Sequence, residues 1–150
     1  MCHFIDLLQF FAGSPVTSVY AHAQRPDTDS EQDVSISVSF ENGAMGTIVY
    51  TSQGNTKVPK EYVEIYAGGK IAVIDNFSHL TLAEHSRRTR TRGREDKGFR
   101  AEVSAFVSCI ASGSAPPIPF EQSVITTLAT LAVLDSCRSG LQVSVPRVKA

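Results

Sequence analysis

The sequence predicts an α+β fold: a predominantly antiparallel, open-faced sheet with helices packed on one face. Three observations predict it. The hydrophobic period is about 3.6 at the start, changes to 2 from Val16 to about Glu84, and returns to 3.6 from Phe99. Short turns, two of them Gly-containing, join the strand-like runs, which favours antiparallel neighbours. Helices and strands are segregated along the chain rather than alternating.

The elements follow in order. MCHFIDLLQFFAG opens as a helix, because Phe4, Leu7, Leu8 and Phe11 share one face and Gly13 and Pro15 stop it. Val16 to Ala23 reads as a strand, and the polar run Arg25 to Gln32 as a loop. Asp33 to Phe40 is the clearest strand: Val34, Ile36, Val38 and Phe40 alternate with Ser35, Ser37 and Ser39. Asn42-Gly43, both able to tolerate positive φ, predicts a tight hairpin, with Met45 to Thr51 returning. Gln53 to Lys60 is a polar loop. Tyr62 to Ala67 and Ile71 to Ile74 form a second hairpin about Gly68-Gly69, and Leu80 and Leu82 mark one more short strand. HSRRTRTRGREDKG, from His85 to Gly98, has five arginines and no apolar residue, and reads as a loop. Phe99 to Ser112 is a helix with Phe99, Val103, Phe106, Val107 and Ile110 on one face. Three prolines stiffen the connector 114–119. Phe120 to Ser139 is a long apolar helix ending at Gly140, and Leu141 to Val145 a final strand. No linker or repeat interrupts the pattern, so residues 1–150 are expected to form a single domain.

Composition narrows the function classes. With 42% hydrophobic and 19% charged residues the chain is globular in type, and a net charge of −1 gives no general pull toward nucleic acid or membrane. No apolar run reaches the roughly 20 residues of a membrane span, and no basic leader precedes the first helix. Cys2, Cys109 and Cys137 are too few and too scattered for a disulfide framework; the expectation is reduced thiols, those at 109 and 137 buried, in a cytoplasmic protein.

Chemical motifs are sparse. The sequence has no Gly-rich dinucleotide fingerprint and no Walker motif, so no cofactor-binding residue is expected within it. His3, His22, His79 and His85 lack metal-ligand spacing, so no metal is expected. His3 and Asp6, at i and i+3, are the best chemical pair: an imidazole suited to proton transfer beside a carboxylate able to support it. The serine face at 35–39 offers a flat surface for a partner sheet. The arginine-rich segment offers phosphate contacts, but it lacks interleaved aromatics for stacking on bases, and a nucleic-acid partner is not expected.

Four segments, in order, resemble one family: CHFIDLLQFFAG at 2–13, FENGAMGTIVYT at 40–51, VPKEYVEIYAGGKIAVIDNF at 58–77, and the stretch from Asp96 to Val145. Together they are similar to the C-terminal domain of the GFO/IDH/MocA oxidoreductases (glucose–fructose oxidoreductase, inositol dehydrogenase and relatives), over nearly the whole chain. The resemblance implies the open-faced sheet of a glyceraldehyde-3-phosphate dehydrogenase-like C-terminal domain. It implies a substrate-binding and oligomerisation role in an NAD(P)-dependent oxidoreductase acting on a sugar- or cyclitol-like alcohol. Full-length members begin with a Rossmann domain carrying the Gly-rich loop and a catalytic lysine. Neither is in this sequence, so NAD or NADP is expected for a longer parent, and this chain alone is expected to be inactive.

In the family an Asp-x-x-x-His pattern opens the substrate domain. His3 matches its catalytic histidine; the aspartate would fall before Met1, and Asp6 matches a second, supporting acidic position. The wording of 53–77 is similar to members linked to surface-polysaccharide biosynthesis, which implies Tyr50, Lys57 and Lys60 as sugar contacts. The family's sheet implies a homo-oligomer formed through its open face. A stand-alone, non-catalytic dimerisation or binding module is the alternative reading of the same residues.

Overall fold

The computed structural model describes residues 1–24, 33–55, 57–59, 61–93 and 96–148. It contains α1 (Cys2–Ala12), β1 (Val16–Ala23), β2 (Val34–Phe40), β3 (Met45–Tyr50), β4 (Tyr62–Ala67), β5 (Lys70–Asp75), β6 (His79–Glu84), β7 (Arg87–Arg92), α2 (Phe99–Ser112), α3 (Phe120–Ser139) and β8 (Val143–Ser144). The α+β class and the antiparallel pairing agree with the sequence. The strands, however, divide between two four-stranded sheets, ordered β3-β2-β1-β8 and β4-β5-β6-β7. They belong to two compact units, Met1–Gln53 with Ala115–Ala150 and Gly54–Ser114. Among the described residues no helix is long and apolar enough to cross a membrane.

The first unit holds the core. β2 alternates as its sequence does, with Val34, Ile36, Val38 and Phe40 buried and the three serines exposed. α3 lies on β1, α1 lies on β3, and the two helices pack on each other. Ile5, Ile36, Val19, Val38 and Val133 are fully enclosed between sheet and helices. Each such side chain contributes about 1.5–3 kcal/mol by leaving water. α1 approaches β3 so closely that a Cβ on Gly46 would stand 2.8 Å from Leu8 Cδ1.

The sheet is completed by a substitution in its hydrogen bonding. β8 pairs with β1 only at Ser18–Ser144 and Val19–Val143. Continuing that register would set Ala21 opposite Leu141. There the Ser136 hydroxyl of α3 intervenes, accepting from Ala21 N at 2.8 Å and donating to the Leu141 carbonyl at 2.6 Å.

The two hairpin turns differ in detail. In the first hairpin Phe40 N donates to Ala44 O and Gly43 N to Phe40 O, so the loop is Glu41–Gly43, and of its residues Gly43 alone has positive φ. Asn42 keeps an ordinary φ because its side chain is occupied: Nδ2 donates to Ala12 O and Oδ1 accepts from Ala44 N. The hairpin is thereby tied to the end of α1. Gly68 and Gly69 both take positive φ, as the second hairpin requires.

The second unit corrects a larger reading. Arg87–Arg92, expected in a loop, is the edge strand β7. Arginine alternating with β-branched threonine suits an edge, where charge discourages further pairing. His85, at φ 51°, makes the turn that leads into it. α2 has the expected span, yet none of its residues is buried, and Phe99, Val103, Phe106, Val107 and Ile110 are exposed along one stripe. Cys109 and Cys137 are half-buried rather than buried, and none of the three cysteines is in a disulfide.

Candidate functional site

His3 lies in the first turn of α1, exposed, with its ring 4.0 Å from that of Phe4. Phe4 in turn meets Tyr50 at the end of β3, with ring centroids 6.2 Å apart. Tyr50 pairs with the buried Val34, which puts it on the helix-covered side of the sheet. His3, Phe4 and Tyr50 therefore form a continuous aromatic lip where α1 begins and β3 ends. Beyond Tyr50 lies a polar shelf. The Asp33 carboxylate accepts from Thr51 Oγ1 at 2.5 Å, Ser52 N at 2.9 Å and Gln53 Nε2 at 2.9 Å. Donation from the Thr51 hydroxyl, and then from Gln53, holds that carboxyl below the usual carboxylate range.

Asp6 faces α3. Its Oδ1 accepts from Thr126 Oγ1 and Gln122 Nε2, both at 3.2 Å. Gln9, one turn along α1 and 4% exposed, donates to Thr126 Oγ1 at 2.7 Å and accepts from Val16 N at 3.3 Å. Asp6, Gln9, Gln122 and Thr126 thus lock the roll of α1 on α3, and with it the direction in which His3 is presented. Sequence reasoning passed over Gln9, Gln122 and Thr126. The available signal was Gln9 itself, a polar residue four positions after Ile5 on the helix's buried face.

The remaining sequence-predicted residues lie elsewhere. Lys57 is exposed in the second unit, its backbone N–H donating to Asn55 Oδ1 at 2.9 Å. Lys60 lies outside the described residues. An open cavity of about 360 Å³, lined by Gln9, Phe10, Pro15, Gln122 and Ile125 among others, sits at the far end of α1 from His3.

Among the described residues no three His, Cys, Asp or Glu side chains gather as a metal site. The Rossmann mode of dinucleotide binding uses a parallel strand–turn–helix crevice with the pyrophosphate at a helix N-terminus. Both sheets here are antiparallel throughout. The described residues do not form that Rossmann-type crevice.

Comparisons with known proteins agree with this architecture. Residues 1–71 match the family model of the GFO/IDH/MocA C-terminal domain. An uncharacterised protein of Sinorhizobium fredii, y4oX, is 28% identical over 107 residues, covering 67% of this chain and 30% of its own length. A UDP-N-acetylglucosamine 3-dehydrogenase from Acidithiobacillus ferrooxidans superposes with a TM-score of 0.80 at 18% identity, over 93% of this chain and 46% of that one. An aldose–aldose oxidoreductase from Caulobacter crescentus gives 0.79 at 15% identity, over 96% and 45%. An NAD-binding oxidoreductase from Klebsiella pneumoniae gives 0.80 at 18%, over 98% and 49%. The chain thus spans under half the length of each of these relatives. By sequence residues 1–71 are thus similar to the C-terminal domain of the GFO/IDH/MocA family, and over nearly its whole length the chain shares the fold of these oxidoreductases.

Proposed function

We propose that this chain is the substrate-facing and assembly domain of a longer NAD(P)-dependent oxidoreductase acting on a sugar- or cyclitol-like alcohol. The family match supports the oxidoreductase, and two fold neighbours named for aldose and UDP-sugar chemistry support the substrate class. The observation that carries the reading is the seating of His3. It is exposed at a helix start whose orientation is fixed by a polar network containing the buried Gln9. Packing alone would favour an apolar residue at that position.

His3 is the acid/base that exchanges the substrate hydroxyl proton, since imidazole titrates near neutrality. Asp6 is a positioning residue acting through α3. Tyr50, beside Phe4, provides a wall for the sugar ring. The nicotinamide belongs to a Rossmann domain elsewhere in the parent. Copies assemble through the serine-bearing face of the first sheet, whose exposed Tyr20, Met45 and Val49 flank Ser35, Ser37 and Ser39. Three cysteines outside any disulfide suit a reducing cytoplasm.

The test is NMR of the His3 ring during titration with aldoses, inositols and UDP-sugars. A saturable shift of the His3 Cε1–H resonance with at least one of them, lost in the Tyr50→Ala variant, is expected. No shift with any of them overturns the sugar site and leaves a non-catalytic assembly module. Micromolar binding of NADH or NADPH to this chain, read by cofactor fluorescence, overturns the assignment of the dinucleotide to another domain.

A further inference from the structure

Three strands of the first sheet stop at one place. Ala23 pairs with Val34 and Val34 with Tyr50, so Gln24, Asp33 and residues 51–53 stand together just past the last rung. Gln24 N donates to Asp33 O at 3.0 Å and closes that end. Asp33 sits at φ 60°, a left-handed backbone that aspartate tolerates better than most residues. Its carboxylate takes three donors from consecutive residues. Thr51 Oγ1 at 2.5 Å and Ser52 N at 2.9 Å donate to Oδ1, and Gln53 Nε2 at 2.9 Å donates to Oδ2. Thr51 Oγ1 in turn accepts from Gln53 N at 3.2 Å. Gln24 and residues 51–53 are exposed, so the network encloses no core. Hydrogen bonds exchanged for those of water bring little net stability, yet these hold a residue in a sparsely populated backbone conformation. Exposed, strained and well-connected residues of this kind gather at binding sites.

The carboxylate also decides which atoms face outward. Donation from Thr51, and then from Gln53, holds it below the usual carboxylate range, so at neutral pH it only accepts. The Gln53 atom against it is therefore the amide nitrogen and not the oxygen. The second hydrogen of that nitrogen goes to Gln24 Oε1 at 2.6 Å. Gln53 thus presents Oε1, an acceptor, and Gln24 presents its NH2, a donor. No bond among the described residues occupies either. We infer that Asp33 is a positioning residue: it sets these two amides so that Gln53 accepts from, and Gln24 donates to, neighbouring hydroxyls of a sugar or cyclitol. A hydroxyl both donates and accepts, so an adjacent pair of them satisfies both amides. A cation finds both Asp33 oxygens already engaged by donors. An anion would meet the carboxylate with no cationic side chain in the cluster. Tyr50, the residue before Thr51, supplies the aromatic surface beside the amides. The inference rests on the function proposed above, whose site it extends from Tyr50 across the end of the sheet.

The test is NMR of the glutamine side-chain amides, with D-glucose, myo-inositol and UDP-N-acetylglucosamine as probes. With whichever probe moves the His3 ring, saturable shifts of the Gln24 and Gln53 NH2 signals are expected. Asp33→Asn is expected to raise the dissociation constant of that probe at least about tenfold, because an asparagine amide can donate to Gln53 Oε1 and turn that side chain round. Gln53→Met keeps the side-chain length and removes the amide. In that background Asp33→Asn is expected to weaken binding no further, whereas a merely structural role would cost the same in both backgrounds. Circular dichroism verifies that each variant is folded. Glutamine signals that stay fixed while His3 responds overturn the inference and leave the substrate reading intact. So does an Asp33→Asn variant that binds as the parent does, or one whose loss persists in full beside Gln53→Met. Glutamine shifts without a His3 response support the positioned amides and overturn the catalytic reading. No response at either overturns both.

Discussion

Replacing Ser136 by alanine removes one oxygen and little volume, so it isolates the hydroxyl inserted between β1 and β8. Ser136 is 0% exposed, accepts from Ala21 N at 2.8 Å and donates to Leu141 O at 2.6 Å. Each of these bonds contributes about 1 kcal/mol net, but their loss strands two backbone groups. Ala21 is itself buried at 2% exposure, so its N–H bears the cost of an unsatisfied buried donor, about 1–3 kcal/mol. Leu141 is 67% exposed, and water satisfies its carbonyl cheaply. The expected total is about 2–3 kcal/mol, or roughly 5–10 °C in Tm for a chain of this size. Urea unfolding followed by circular dichroism measures it, since the sequence contains no Trp. Thr127→Ala is the control: its hydroxyl, on the same helix, is exposed and bonds the Ser123 carbonyl of its own turn, so a change within about 0.5 kcal/mol is expected. Amide exchange at Ala21 should accelerate in Ser136→Ala and not in the control. If Ser136→Ala matches the control on both readouts, the hydroxyl is not holding the strand and the reasoning fails.

Two further outcomes are expected. Gly46→Val should destabilise by about 1–3 kcal/mol, because even its Cβ would stand 2.8 Å from Leu8 Cδ1, and Leu8→Ala in the same chain should recover part of the loss; additive losses in the thermal melts would refute the contact. The Asp33 carboxyl is held down by Thr51 and Gln53 in the folded chain, so its contribution is present above the unfolded value of about 3.9 and is lost as pH falls through the folded value. Asp33→Asn should flatten the acid limb of the stability–pH curve while changing little of its shape near neutrality; an unchanged limb would exclude this group.

Local signals carried most of the element boundaries. Gly13, Gly113 and Gly140 each take the left-handed conformation that ends a helix, and each was visible as a glycine following an apolar period. The alternation of β2 predicted its buried and exposed faces residue by residue. Partner choice was less legible. Nothing local in Tyr62–Glu84 separates those strands from β1–β3, because sheet membership is set by which edges meet. β7 was missed because a strand with neither face buried has no hydrophobic period to detect. In the candidate site, His3 was nominated by its chemistry and by the family resemblance. The lock formed by Gln9, Thr126 and Asp6 depends on residues more than 110 positions apart, and no spacing rule reaches that far.

The first unit is assembled from both ends of the chain, with the second unit's segment between them. During synthesis β1 emerges early, yet α3, which covers it, and β8, which pairs with it, are made only after residue 120. The intervening meander β4 to β7 pairs each strand with its sequence neighbour and closes in hairpin steps of microseconds. At 5–20 residues per second, roughly 5–20 s separate the exit of β1 from that of its cover. Throughout that interval the apolar side of β1 lacks the cover that α3 supplies. A trigger-type chaperone, or slow codons placed after β3, would act on this protein in that window.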